Sequence, residues 1–103
     1  DNLIGFAQND TSFAETLRSI FIEDSIKRIS SMQQAAFNKE IDKMSDVAHS
    51  MKPSLAQLAS KDLQSLNKRF ENKEIPENEI QSQLRIFELH VNLLIDDLKR
   101  ISF

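Results

Sequence analysis

Hydrophobic positions recur at helical spacing along almost the whole chain. The clearest stretch is the last, where Ile80, Leu84, Phe87, Val91, Leu94, Leu98 and Ile101 follow one another at steps of three or four residues and so share one face of a helix of about six turns. Before it, Leu63, Leu66 and Phe70 repeat at the same spacing, with Ser60 placed to cap a third helix. Ile41, Met44, Val47, Ala48, Met51, Leu55 and Leu58 form a stripe about a third of the circumference wide, on a second helix expected from residue 39 to about 58 with Asn38 as its cap. The first helix is expected to start at Asp10 or Thr11. It should turn Phe13, Leu17, Ile20 and Phe21 inward, continue through Ile26, Ile29 and Met32, and fade near Ala36. Its stripe drifts, which predicts that its first half packs on the segment before it and its second half on other helices.

The residual segments fit that plan. Leu3, Ile4 and Phe6 around Gly5 are too few for an element of their own and are expected to cap one end of the bundle. Residues 72–78 are polar and contain Pro76 near the start of the last helix, where a missing N–H is harmless. No segment alternates at period two, and one glycine and two prolines leave few tight turns for a sheet. The expected fold is all-α: an antiparallel up-down four-helix bundle with a short N-terminal capping segment. At 103 residues the prior is a single domain, residues 1–103, with one modest core. Beginning at Asp1 rather than Met, it could be a domain excised from a larger protein.

Composition narrows the chemistry. There is no cysteine, so disulfides, zinc–cysteine sites and thiol catalysis are excluded. A net charge of −3 with no basic cluster argues against nucleic acid and anionic membranes as partners. The longest apolar run, around Val91 and Leu93 to Ile95, falls far short of a membrane span, and no signal peptide opens the chain.

Of the two histidines, His49 is the one placed for work. On the second helix it projects about 140° from the middle of the apolar stripe, sharing a face with Asp42, Ser45, Asp46, Pro53, Ala56 and Gln57, and is predicted to meet solvent. Lys52 follows by three positions and is its neighbour on the helix surface. Small residues around the pair, Ser45, Ser50, Ala56 and Ser60, leave the ring unshielded. Taken alone, such a pair is a common coincidence of a solvated face. If the next turn centres on Ala59 and Ser60, His49 lies about eleven residues before it and Glu71 about eleven after, so the two should stand at similar heights. Glu71 then either accepts the Nδ1 proton, leaving Nε2 bare and nucleophilic, or is an ordinary solvated carboxylate. Pro53, one turn after His49, has no N–H to give the His49 carbonyl and is expected to kink the helix at a cost of about 3 kcal/mol. His90 sits at the edge of the last stripe without partners. No metal or cofactor is expected: there is no Glu-x-x-His pairing, no Gly-rich phosphate loop and no nucleophile–base constellation.

The string Ala48-His49-Ser50-Met51-Lys52-Pro53-Ser54 resembles the motif of histidine-containing phosphotransfer (HPt) domains, Ala-His-x-(apolar)-Lys-(Gly or Pro)-(Ser/Ala/Thr) in the middle of a bundle helix. The likeness extends upstream through Asn9 to Phe13 and Leu17 to Glu23, and downstream through Leu58, Ala59 and Leu63. Pro53 and Ala59 stand where glycine is common in the family. The resemblance implies that His49 accepts a phosphoryl group, that Lys52 offsets its charge, and that Glu71 orients the ring, since a Gln or Glu often holds that facing position. It also implies a docking face of Ser45, Ser50, Pro53, Ser54, Ala56 and Gln57, with Ser50 or Ser54 able to donate to the phosphoryl group. The implied partner is the receiver domain of a response regulator or hybrid histidine kinase, which would bring the metal and the aspartate. The chain itself would be a monomeric, cytoplasmic phosphoryl carrier and not an enzyme with its own ATP site. Two other readings stand beside this one: an interaction scaffold in which His49 is inert, and the dimerisation and phosphoacceptor domain of a sensor kinase. Against the latter, Ser50 occupies a position usually acidic there, and four helices exceed its usual hairpin.

Overall fold

In the computed structural model, residues 11–101 are described. They form four α-helices: α1 (Thr11–Phe37), α2 (Ile41–Leu58), α3 (Lys61–Glu71) and α4 (Ile80–Lys99), with a short 3-10 turn, Glu77–Glu79, ahead of α4. No strand occurs among the described residues, and none of their helices is long and apolar enough to cross a membrane. The expected N-terminal cap and Asp10 lie outside the described residues.

Side-chain ties fix the up-down order. Arg28 of α1 meets Ser50 of α2; Ala48 and Ser45 of α2 meet Asn67 and Glu71 of α3. Along the α1–α4 pair, Gln33 donates to Glu88 at 2.6 Å, while Arg18 Nη1 reaches the carbonyls of Leu98 at 3.2 Å and Ile101 at 2.8 Å. In the α2–α3 and α1–α4 pairs one residue number rises as its partner's falls, and only residues 38–40 separate α1 from α2, so these neighbouring helices run antiparallel. Arg18 also adds a side-chain donor to the Leu98 carbonyl, which the Ile101 N–H also bonds at 3.3 Å, and reaches Ile101 just past the end of α4.

The inner faces meet in one core. Met44, Ala48, Met51 and Leu55 come from α2, Leu63, Leu66 and Phe70 from α3, and Ile80, Leu84, Phe87, Val91, Ile95 and Leu98 from α4. Phe70 and Phe87 pack edge to face, their centroids 5.6 Å apart, in the geometry that aligns ring edge with ring face. From α1 the core takes Phe21, Ile29, Met32, Ala35 and Ala36. Here the expected face is corrected: Phe13, Ile20 and Ile26 are exposed, because the inner stripe of α1 runs through Ala14, Phe21, Ser25 and Ile29. Its small and polar members carry no hydropathy signal. On α4, Ile95 is buried and Leu94 only partly so.

Helix ends explain the turns. Ser60 caps α3 as expected, its hydroxyl accepting from the Leu63 N–H at 3.2 Å. The cap of α2 is Glu40, without a side-chain hydrogen bond, and not Asn38. Asn38 instead lies in the turn that closes α1, where Glu40 N–H bonds the Ala35 carbonyl at 2.8 Å and Lys39 N–H the Ala36 carbonyl at 3.2 Å. This is a Schellman motif with Lys39 in the left-handed region, φ 58°. The end of α3 repeats it: Glu74 N–H to Arg69 carbonyl at 2.9 Å, Lys73 N–H to Phe70 carbonyl at 3.2 Å, Lys73 φ 58°. A bridge of 2.6 Å from Lys73 Nζ to Asp42 ties the two turns together. It holds the Asp42 carboxyl below the usual range and the Lys73 ammonium above it, each through its hydrogen bond to the other. Helix α2 continues through Pro53 as one element.

Candidate functional site

The site is built on the α2–α3 hairpin. The connection is short, Ala59 and Ser60, and the Ser60 cap fixes where α3 starts. From there the rise along two antiparallel helices brings Glu71 level with His49. Nδ1 of His49 lies 2.5 Å from Oε2 of Glu71. The histidine side chain is 72% exposed, whereas that of Glu71 is 16% exposed, so a mostly covered carboxylate holds an open ring.

Electrostatics assign the proton. The hydrogen bond from His49 lowers the Glu71 pKa below its ordinary value; Lys52, His49 and Lys68 add attraction, and burial opposes them. At neutral pH Glu71 is therefore ionised and can only accept. The hydrogen between them belongs to Nδ1, which leaves Nε2 of the neutral ring with its lone pair. Lys52 Nζ stands 3.8 Å from the other carboxylate oxygen, Oε1 of Glu71. His49, Glu71 and Lys52 thus form one chain of contacts, with the lysine on the α3 flank.

The remaining expected positions divide. Ser50, Pro53, Ala56 and Gln57 are exposed around the ring and Ser54 is half-buried. Ser45 is a correction to the expected docking face. It is 9% exposed, and its hydroxyl donates at 2.5 Å to the backbone carbonyl of Glu71. A helical wheel puts Ser45 beside His49, but α3 packs against that side. Ser50 Oγ donates to the Val47 carbonyl at 2.5 Å and accepts from Nη1 of Arg28. A shallow groove of about 200 Å³ runs between α2 and α3, lined by Lys52, Ala56, Lys68 and Glu71 among others.

Two residues at the site escape a reading of the sequence. Asn67, 2% exposed, donates through Nδ2 to the Ala48 carbonyl at 2.9 Å, binding α3 to α2 next to His49. The interruption of the apolar series Leu63, Leu66 and Phe70 by a buried amide was its only signal. Arg28, on α1, leaves no such trace.

A family model of the Hpt domain matches residues 16–101. The chain belongs to the Hpt domain family. No curated protein and no solved structure matches it significantly. Hpt domains are helical bundles, as found here, and they carry phosphoryl groups in two-component signalling without kinase activity of their own. They interact with receiver domains in phosphorelays. The matched span contains the α2–α3 hairpin with His49, Lys52 and Glu71.

Proposed function

We propose that this Hpt domain is a phosphorelay intermediate: His49 accepts a phosphoryl group from the aspartyl phosphate of one receiver domain and passes it to another. The observation that carries the reading is the 2.5 Å contact of His49 Nδ1 with Glu71 on a ring that is otherwise open to solvent. In the accepting step the Nε2 lone pair attacks phosphorus, an N–P bond forms, and the P–O bond to the aspartate breaks, the carboxylate leaving with the electron pair. The proton stays on Nδ1. The ring becomes cationic as it takes the phosphoryl group, and the Glu71 carboxylate stabilises that cation while holding the ring in line. Lys52 offsets the added negative charge from one helical turn away.

The docking face of this reading consists of Ser50, Pro53, Ser54, Ala56 and Gln57, with Ser45 acting from beneath. The partner is the receiver domain of a response regulator or hybrid histidine kinase, which brings the metal ion and the aspartate that Hpt domains lack. Small, exposed residues suit the transient contact such an exchange needs. The domain acts as a single unit, monomeric, in the cytoplasm.

The test is incubation of the domain with a panel of phosphorylated receiver domains, read by intact mass. The expected result is an acid-labile gain of one phosphate that disappears with His49→Gln and leaves the fold unchanged. No gain from any receiver, by a folded protein, would replace the relay with an interaction scaffold.

A further inference from the structure

A second cation stands ready on the opposite flank of His49. Arg28 of α1 bonds Asp24 one turn earlier, Nε to Oδ2 at 2.7 Å, and its Nη1 reaches across the helix interface to the hydroxyl of Ser50, the residue next to His49. The Arg28 side chain is 35% exposed. Lys52, in contrast, stands with Glu71 on the α3 flank. The two imidazole nitrogens are separated by one carbon and their N–H or lone-pair directions diverge, so a partner held at one does not occupy the other. Nδ1 is held by Glu71 of α3, which leaves Nε2 free of that carboxylate, while Arg28 meets α2 from α1, at the residue next to the histidine.

We propose that Arg28 is a second phosphoryl-binding residue of this domain: its guanidinium leaves the Ser50 hydroxyl and donates to the phosphoryl group on His49 Nε2. The inference rests on the reading of His49 as the phosphoacceptor. Ser50 is a neutral acceptor. A phosphoryl group offers charged oxygens that form shorter and stronger bonds with a guanidinium, and in the paired geometry its fork is made for. Asp24 holds Arg28 at Nε, so the two Nη groups can move without release of the side chain from α1. Lys52 then keeps its place beside Glu71 and contributes at longer range, and α1 takes part in the chemistry of a site otherwise confined to α2 and α3.

The experiment uses a small phosphoryl donor that needs no partner. Phosphoramidate loads the domain in a His90→Gln background, so that a single phosphohistidine resonance is read; Nε2 attacks phosphorus, the P–N bond of the donor breaks and ammonia leaves. Phosphorus NMR then follows the last ionisation of the phosphoryl group, whose midpoint a neighbouring cation lowers. Arg28→Gln is expected to raise that midpoint by about half a unit or more, Arg28→Lys to restore part of it, and Lys52→Gln to move it less than Arg28→Gln does. A midpoint unmoved by Arg28→Gln, or moved more by Lys52→Gln, overturns the proposal. Circular dichroism of each variant separates this from a lost fold. Failure of every receiver to phosphorylate His49 would overturn the relay, while the phosphoramidate titration would still decide the place of Arg28.

Discussion

Ser45 and Glu71 are joined through the glutamate's backbone: the hydroxyl on α2 donates to the Glu71 carbonyl at 2.5 Å, while the side chain of the same glutamate holds His49 at 2.5 Å. Both contacts come from α2, one helical turn apart. Glu71 is thereby fixed at its main chain before its carboxylate meets the ring, which is the arrangement that keeps a hydrogen bond at an exposed histidine from drifting.

Ser45→Ala tests this. Loss of a part-buried hydrogen bond that leaves a carbonyl at the end of α3 without its donor should cost about 1–2 kcal/mol, read as a lower midpoint in chemical denaturation with unchanged slope. The same variant should shift the His49 Nδ1 resonance toward that of an untethered imidazole. A full stability loss with an unmoved Nδ1 signal would reduce Ser45 to a packing role.

Acid should release the ring in a definite window. Glu71 has a folded pKa below its ordinary value of 4.5, chiefly through the hydrogen bond from His49. A depressed carboxylate stabilises the fold above its unfolded value, and that contribution is lost as the pH falls through the folded one. The difference in unfolding free energy between the wild-type domain and Glu71→Gln should therefore be level from neutral pH down to about 4.5 and shrink below it. A difference that stays level into strong acid would show that the carboxylate's charge adds nothing.

Two lysines hold backbone conformations that favour glycine. Lys39 and Lys73 both have φ 58° at the residue where a Schellman motif takes its left-handed turn. Lys39→Gly should raise stability by about 1 kcal/mol. Lys73→Gly should gain less, because it also removes the bridge to Asp42, an exposed pair that solvent screens. Equal gains would show the bridge to be energetically idle.

How far the sequence carries depends on which physical signal reports each feature. The last helix is legible because its core positions are large and apolar and recur at a steady three-or-four spacing, which stands out even though Ile86, Leu89 and Leu93 are exposed on its outer face. In α1, large apolar residues are exposed at Phe13, Ile20 and Ile26 while Ala14, Ser25 and Ala35 are buried, and hydropathy points the wrong way. The level meeting of His49 and Glu71 is legible because a two-residue connection with a serine cap leaves the register of the hairpin little choice. Ser45 is misread because a single helix does not state which of its flanks a neighbour covers. Arg28 is invisible to such reasoning, since its contact with Ser50 depends on the register of α1 against α2, which a longer drift of the α1 stripe obscures.

His49 and Glu71 are 22 positions apart, and both belong to one hairpin. The histidine and its holder therefore depend on the connection at Ala59 and Ser60 and not on the turns that attach α1 and α4. Orientation of the histidine and the character of the surface beside it are separable properties of this fold: substitutions on the outside of α1 can change what lies beside the histidine, and leave the histidine itself aimed as before.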